Sequence, residues 1–213
     1  MQKKLNAYGV ASLDFPNIEM AKAFTYDDAV GSFPPTPLIF DENPFNQQIM
    51  NAKNILEVGC GVGRNVPWVV NSTKAKYYGI EPNPSMLKYF KVQNESVPSD
   101  RCEIHSSFES LPKIKFDVIF FTFVLQHITY RPENESMHID HIIQQCFEYA
   151  NQETVFILIE HEQEEPGWLE KWFKNNSIIP DVYIRDWTRK GKCSINSITD
   201  RGSHDLIIFK KKF

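Results

Sequence analysis

The sequence predicts an α/β protein whose sheet is mostly parallel and ends in an antiparallel hairpin. From residue 54 to residue 175, short strand-like runs alternate with segments of helical periodicity. The apolar run within Phe116–Thr122 is typical of a parallel strand that is buried on both faces. The last two strand-like runs have no helical segment between them, so they most simply pair as an antiparallel hairpin.

The individual elements follow from local composition. Apolar, β-branched and aromatic residues predict strands at Asn54–Val58, Lys76–Ile80, Cys102–His105, Phe116–Thr122, Thr154–Glu160, Val182–Trp187 and Asp205–Phe209. Helical spacing of apolar residues, with prolines confined to first turns, predicts helices at Arg64 to about Asn71, Pro84–Gln93, about Met137 to Ala150 and Pro166–Asn175. Short helices are also expected at Asn17–Phe24 and Pro44–Met50. The polar segment Thr188–Gly202 is long for a hairpin connection, which is typical of a functional loop.

Length and composition limit the function classes. The 213 residues suit one α/β domain with a full core. The net charge of −4 argues against broad binding to nucleic-acid phosphates, which needs clustered Lys and Arg. No apolar run is long enough to span a membrane, and the four cysteines form no C-x-x-C pair. These features predict a cytoplasmic protein without a zinc site. The many Asn, Ile and Lys residues suggest an AT-rich bacterial genome.

A glycine-rich turn follows the first predicted strand. The segment Glu57-Val58-Gly59-Cys60-Gly61-Val62-Gly63 has glycines at alternate positions and leads into a predicted helix. Glycine permits left-handed backbone dihedrals, and a bare backbone lets a ligand approach the positive end of the helix. The spacing differs from the G-x-G-x-x-G of dinucleotide-binding proteins. The carboxylate of Glu57 would repel a pyrophosphate but would suit a ligand that carries an ammonium and a sulfonium.

This segment resembles motif I of the class I S-adenosylmethionine-dependent methyltransferases, an acid followed by Gly-x-Gly-x-Gly. The resemblance covers about residues 50 to 213. It implies a Rossmann-like methyltransferase fold, with a mostly parallel seven-stranded sheet, a C-terminal antiparallel β-hairpin and helices on both faces. It also implies S-adenosyl-L-methionine as the cofactor, with Glu57, Gly59 and Gly61 among its contacts. Residues 51–213 would form this domain, and residues 1–50 an N-terminal segment that acts as a lid or packs against the sheet.

The second predicted strand ends in an acid, Glu81, 18 residues after Gly63. In a βαβ unit this acid lies beside the first loop, where it can accept hydrogen bonds from both ribose hydroxyls. The resemblance places a ribose-binding acid here, followed by residues such as Pro82 that contact adenine. The alternative interpretation is that Glu81 only caps the helix that begins at Pro84.

Two further segments are similar to cofactor-binding motifs of the family. His105-Ser106-Ser107-Phe108 resembles the acidic motif that contacts adenine, although Ser107 stands where the family usually has Asp. Phe108 is expected to flank the adenine ring by its side chain or its backbone. After the fourth strand, the backbone near Phe123 corresponds to the loop that holds the methionyl part of the cofactor. The alternative interpretation of the Ser107 segment is an ordinary turn.

Two histidines are candidate general bases for methyl transfer to a hydroxyl. His127 follows the fourth strand, on a loop where family members often carry a His that faces the transferred methyl. His161 follows the fifth strand between Glu160 and Glu162, carboxylates that would raise its pKa. The alternative interpretation of His127 is a residue that caps or packs at a helix start, and that of His161 is a solvated loop residue. No metal is expected, because no metal-ligand spacing is present.

The acceptor is predicted to be a small molecule. The chain lacks the Asn-Pro-Pro-Tyr or Asp-Pro-Pro-Tyr run of related amino-methylating enzymes and the Pro-Cys nucleophile of cytosine-carbon methylation. A hydroxyl of a sugar or other metabolite is therefore favoured over an amine. Two alternatives remain, a nicotinamide-dependent oxidoreductase and a non-catalytic protein that retains the fold. The Ser107 departure leaves the second of these open.

Overall fold

The computed structural model describes residues 17–21, 46–122, 124–125, 135–161, 168–184 and 204–210. These residues contain one seven-stranded sheet, which confirms the predicted fold class. Its strands are β1 (Asn54–Val58), β2 (Lys76–Ile80), β3 (Cys102–His105), β4 (Val118–Thr122), β5 (Val155–His161), β6 (Val182–Ile184) and β7 (His204–Lys210). The helices are α1 (Asn46–Met50), α2 (Val66–Ser72), α3 (Pro84–Gln93), α4 (Glu135–Glu148) and α5 (Trp168–Asn175). None of these described helices has the length and apolar character needed to cross a membrane.

The strand order is β3-β2-β1-β4-β5-β7-β6. Strands β1 to β5 are mutually parallel, and β7 runs antiparallel to both β5 and β6, as the hairpin prediction required. The order reverses at β1, which pairs with β2 on one side and β4 on the other. In open parallel sheets, ligands bind at the carboxyl ends of the strands beside such a reversal. The loops after β1, β2 and β4 therefore meet at the expected ligand edge.

The predicted boundaries differ from the structure by one or two residues. Strand β4 begins at Val118 because the N–H of Phe116 donates to the Tyr149 carbonyl (3.0 Å) instead of joining the ladder. Helix α2 begins at Val66, since residues 61–65 form turns around the last glycine. Residues 185–187 of the predicted sixth strand and the Thr188–Gly202 loop lie outside the described residues.

Two apolar clusters cover the two faces of the sheet. Side chains at alternate positions of each strand belong to opposite clusters, as the pleat of a strand dictates. One face is packed by α4 and α5, through residues such as Ile142 and Trp172. The other is packed by α1, α2 and α3, through residues such as Ile49, Val69 and Phe90. The prediction of helices on both faces is confirmed, and the buried sheet holds the strand ends in fixed positions.

Helix α5 ends in a left-handed turn at a residue that is not glycine. Ser177 has φ 55°, the N–H of Ser177 donates to the Lys174 carbonyl, and the N–H of Ile178 donates to the Phe173 carbonyl (3.0 Å). Such endings favour glycine because a Cβ is strained in the left-handed region.

We therefore expect Ser177→Gly to raise the free energy of unfolding by about 0.5–1 kcal/mol, the relieved strain less the added entropy of the unfolded chain. Urea denaturation of the two proteins measures this difference. Lys174→Gly, in the last turn of the same helix, is the control and should destabilise by about 1 kcal/mol. A Ser177→Gly protein less stable than wild type would contradict the assignment of strain.

Candidate active site

The glycine-rich loop after β1 has a backbone that only glycine adopts easily. Gly59, Gly61 and Gly63 have φ values of 72°, 55° and 83°. The N–H groups of Gly59 and Cys60 both donate to the carbonyl of Ile80, at 2.8 and 3.1 Å. This pair of hydrogen bonds joins the start of the loop to the end of β2. The loop therefore lies between the two strand ends that the sequence assigned to ligand binding.

Close packing also requires glycine at two of these positions. A Cβ at Gly59 would lie 2.6 Å from a methyl carbon of Val124, the second residue after β4. A Cβ at Gly63 would lie 2.5 Å from the amide nitrogen of Asn94 and 2.6 Å from the ring of Phe90. The same Asn94 nitrogen donates to the carbonyl of Val62 (3.0 Å). The third glycine thus seats the loop on α3, and the first admits the segment after β4.

Glu81 reaches across from β2 to the glycine loop. Its Oε2 accepts the N–H of Gly61 at 2.9 Å, and its Oε1 accepts the N–H of Asn83 at 2.8 Å. The side chain is 8% exposed. Burial raises the pKa of Glu81 to about 7, against the lowering effect of these two backbone donors, and the charge of Glu57 adds to the rise. Each carboxylate oxygen keeps a lone pair that can accept a further hydroxyl.

The interpretation of Glu81 as only a helix cap does not fit this geometry. The N-cap of α3 is Asn83, whose side-chain oxygen accepts the N–H groups of Ser85 (2.9 Å) and Met86 (3.4 Å). Glu81 instead supports the turn before that cap and the loop after β1. Pro82 lies between them and is half-buried.

Glu57 occupies the centre of a buried polar network. Its Oε1 accepts hydrogen bonds from Asn65 Nδ2 (2.7 Å) and Thr122 Oγ1 (3.0 Å), and its Oε2 accepts one from the Tyr77 hydroxyl (2.5 Å). Burial raises the pKa of Glu57, while these donors and the charge of Arg64 oppose the rise. The carboxylate thereby connects β1 with β2, β4 and the start of α2. Its donors come from the chain itself, a role that the sequence did not predict.

The segment His105–Phe108, which was predicted to contact adenine, leads into a short 3₁₀ turn at Phe108–Ser110. The ring of Phe108 is 2% exposed and lies 6.2 Å from the ring of Tyr149 within the core, so its side chain is a packing residue. The Phe108 carbonyl accepts the Tyr149 hydroxyl at 2.7 Å. Ser107, half-buried, precedes this turn, and its hydroxyl contact with Glu109 holds the pKa of that carboxyl below its usual range. The buried ring does not fit the side-chain mode expected for Phe108, which leaves the backbone mode as a prediction.

From the sequence alone, Glu160 stands out only as a carboxylate beside His161. The structure buries it completely, at 0% exposure near the end of β5. Its Oε1 accepts the N–H groups of Val124 and Leu125, both at 3.1 Å. The sequence carries no signal for this contact beyond an acid at the end of an apolar strand.

The structure does not describe the side chain of either candidate base. His127 and Phe123 lie outside the described residues. His161 is the last residue of β5 and pairs with His204 across the antiparallel ladder, which places its backbone at the ligand edge. Among the described residues, no group of three His, Cys, Asp or Glu side chains is arranged to hold a metal ion.

A short piece of the N-terminal segment packs beside the glycine loop. Residues 18–21 form a helical turn, and the buried Ala21 belongs to a small cluster with Val62 of the loop and with Met86 and Tyr89 of α3. This contact places residues 18–21 against the glycine loop and α3.

Comparisons with known proteins agree with this geometry. Residues 56–156 match the methyltransferase domain family. No curated protein is similar enough in sequence to count as a relative.

Many solved structures have a similar fold. A S-adenosylmethionine-dependent methyltransferase from Clostridium acetobutylicum is 11% identical, with a TM-score of 0.64 over 92% of this chain and 100% of that one. Magnesium protoporphyrin IX methyltransferase from Synechocystis, with bound SAM, is 18% identical, with a TM-score of 0.56 over 96% and 88%. A Burkholderia thailandensis 1,6-didemethyltoxoflavin-N1-methyltransferase, bound to 1,6-didemethyltoxoflavin and S-adenosylhomocysteine, is 11% identical, with a TM-score of 0.60 over 96% and 95%.

These solved structures support the fold, and the domain match runs from within β1, through β2, β3 and β4, to the start of β5. The acid Glu57, the three glycines and the second-strand acid Glu81 are assembled at one edge of the sheet, and all of them lie within the residues that match the methyltransferase domain family.

Proposed function

We propose that the chain transfers a methyl group from S-adenosylmethionine to a small-molecule acceptor, with a hydroxyl favoured over an amine. The observation that carries the proposal is the hydrogen bond between the Gly61 N–H and the buried Glu81 carboxylate (2.9 Å). It sets the buried carboxylate that we assign to the ribose directly against the glycine loop that we assign to the cofactor. The cofactor supplies a methyl carbon already activated by the sulfonium, so the protein mainly aligns two reactants and excludes water.

The ribose, the adenine and the homocysteine part of the cofactor would each contact a different set of residues. Glu81 would accept the two ribose hydroxyls on its remaining lone pairs. Pro82, the Ser107 hydroxyl and the Phe108 backbone would line the adenine. The backbone of Gly59 and Gly61 would face the homocysteine part, with the backbone of Phe123 on its other side.

Glu57 would act on the cofactor mainly through its charge. Its carboxylate already accepts three hydrogen bonds from side chains of the chain, so a fourth direct contact is not required for it to be satisfied. A buried carboxylate favours a positive ligand nearby and opposes a phosphate. The pair Glu57 and Glu81 therefore favours a sulfonium and ammonium ligand over the pyrophosphate of a dinucleotide.

Calorimetry with S-adenosylhomocysteine and with NAD tests this proposal. We expect binding of S-adenosylhomocysteine and no heat from NAD. An acceptor screen with S-adenosylmethionine labelled in the methyl group should then yield a methylated product. NAD binding without S-adenosylhomocysteine binding would favour the oxidoreductase, and cofactor binding without any product would favour the non-catalytic protein.

Replacing Glu81 by Ala should weaken S-adenosylhomocysteine binding by tenfold or more, because each hydrogen bond to a charged group is worth about 1.5–3 kcal/mol. Calorimetric titration measures the change. The control is Glu103→Gln, which removes the exposed partner of Lys76 on the neighbouring strand β3 and should leave the affinity unchanged. An unaltered dissociation constant in Glu81→Ala would remove Glu81 from the ribose site.

The affinity should also depend on pH. Because burial raises the pKa of Glu81 to about 7 in the free protein, the carboxyl is neutral below that pH and must lose a proton to accept two hydroxyls. S-adenosylhomocysteine affinity should therefore rise with pH up to about 7, by at most about tenfold per pH unit, and level off above it. Titrations between about pH 5.5 and 8 measure this profile. Glu81→Gln should flatten it, and an identical slope in that variant would refute the assignment.

His127→Ala should lower the methyl-transfer rate by roughly 10²–10⁴-fold if His127 is the general base. S-adenosylhomocysteine affinity should stay near that of wild type, since the imidazole would face the acceptor. His161→Ala, measured with the same acceptor, is the matched comparison. Full activity in His127→Ala together with a large loss in His161→Ala would move the base to His161.

A further inference from the structure

The carboxylate of Glu160 holds the first residues after β4 from a distant strand. It lies at the carboxyl end of β5 and is completely buried. One of its oxygens accepts two consecutive backbone N–H groups, those of Val124 and Leu125, both at 3.1 Å. Two adjacent N–H groups that converge on one anion resemble the start of a helix capped by a carboxylate, and hydrogen bonds to a charged acceptor are about twice as strong as neutral ones.

The segment that Glu160 holds is the one that contacts the glycine loop. The methyl carbons of Val124 lie so near Gly59 that a Cβ there would approach within 2.6 Å of one of them. Leu125, the residue after Val124, is fully buried in the core. A shift of the Val124 backbone would therefore move the wall on one side of Gly59. It would not move the Glu81 end of the site, which is held by Gly61 and Asn83.

A second buried carboxylate lies beside Glu160 but is used differently. Asp205 of β7 is the ladder partner of Glu160, so the two side chains lie on the same face of the sheet. Asp205 accepts the hydroxyl of Tyr183 at 3.1 Å. The Tyr183 hydroxyl therefore makes a hydrogen bond at the same edge of the sheet that joins β6 to β7.

We infer that Glu160 is a positioning residue for methyl transfer, which fixes the backbone of Val124 and Leu125 against Gly59 and so sets the homocysteine end of the cofactor site. The inference rests on the proposed function for the identity of the ligand. It extends the site beyond the glycine loop and the two acids, to a residue on β5 that touches no cofactor atom. It also links the cofactor loop with the segment that leads, two residues after Leu125, to His127.

Two ligands separate this role from simple support of the fold. Adenosine carries the adenine and ribose alone, whereas S-adenosylhomocysteine also fills the homocysteine end. Glu160→Leu removes the acceptor and keeps the bulk, so it should weaken S-adenosylhomocysteine roughly tenfold, as the loss of a charged hydrogen-bond acceptor implies. Its affinity for adenosine, followed by NMR titration, should stay within about twofold. Tyr183→Phe, the matched control, should change neither affinity.

Hydrogen exchange supplies a second measurement on the same variants. The amides of Val124 and Leu125 should exchange at least roughly tenfold faster in Glu160→Leu than in wild type. Glu160→Gln, which keeps an acceptor oxygen, should restore most of the protection and most of the S-adenosylhomocysteine affinity. If Glu160→Leu does not fold, Glu160→Ala takes its place, and unchanged protection of the Val124 and Leu125 amides in that variant would decide against the role.

Equal weakening of both ligands, or of neither, would overturn the inference. Failure of the proposed cofactor site has a different signature, since wild type would then not bind S-adenosylhomocysteine. The exchange of the Val124 and Leu125 amides would still report the Glu160 contact in that case.

Discussion

The hydrogen bond from the Gly61 N–H to the buried carboxylate of Glu81 is the contact on which the site depends. Parallel pairing of β1 and β2, with Val58 opposite Ile80, brings the two loops to one edge. The carbonyl of Ile80 then accepts the N–H groups of Gly59 and Cys60, and Glu81 accepts the next free amide of the loop. The turn after β1 is thus shaped by the strand beside it, and it does not rely on its own glycines alone.

Of the buried carboxylates that the described residues place at this edge, Glu57, Glu81 and Glu160 accept the hydrogen bonds that order the strand ends. Glu81 accepts two backbone N–H groups, Glu160 accepts two more, and Glu57 accepts three side-chain donors. Burying a carboxylate is costly unless such donors compensate, which is why burial raises the pKa of Glu57 and Glu81. The negative charge that remains at the edge favours a cationic ligand. The same groups that order the strand ends therefore bias the site toward a sulfonium.

Much of this arrangement could be predicted from the sequence because it depends on local patterns. Alternating glycines after an apolar strand, and an acid at the end of the next strand, specify the loop and the place of Glu81 beside it. The contacts of Glu57 with Tyr77 and Thr122 could not be predicted, since they join strands that are adjacent only in the folded sheet. Glu160 was missed for the same reason. Its partners are backbone amides 35 and 36 residues earlier in the chain, and backbone donors leave no trace in the residue types.

The most direct test of the account is a crystal structure of the complex with S-adenosylhomocysteine. It should show both ribose hydroxyls on the Glu81 carboxylate, with the homocysteine backbone between Gly59 and the segment after β4. The position of the sulfur would then mark where the acceptor atom arrives. A ligand bound elsewhere, or a crevice above Gly59 closed by the protein's own side chains, would contradict the central claim.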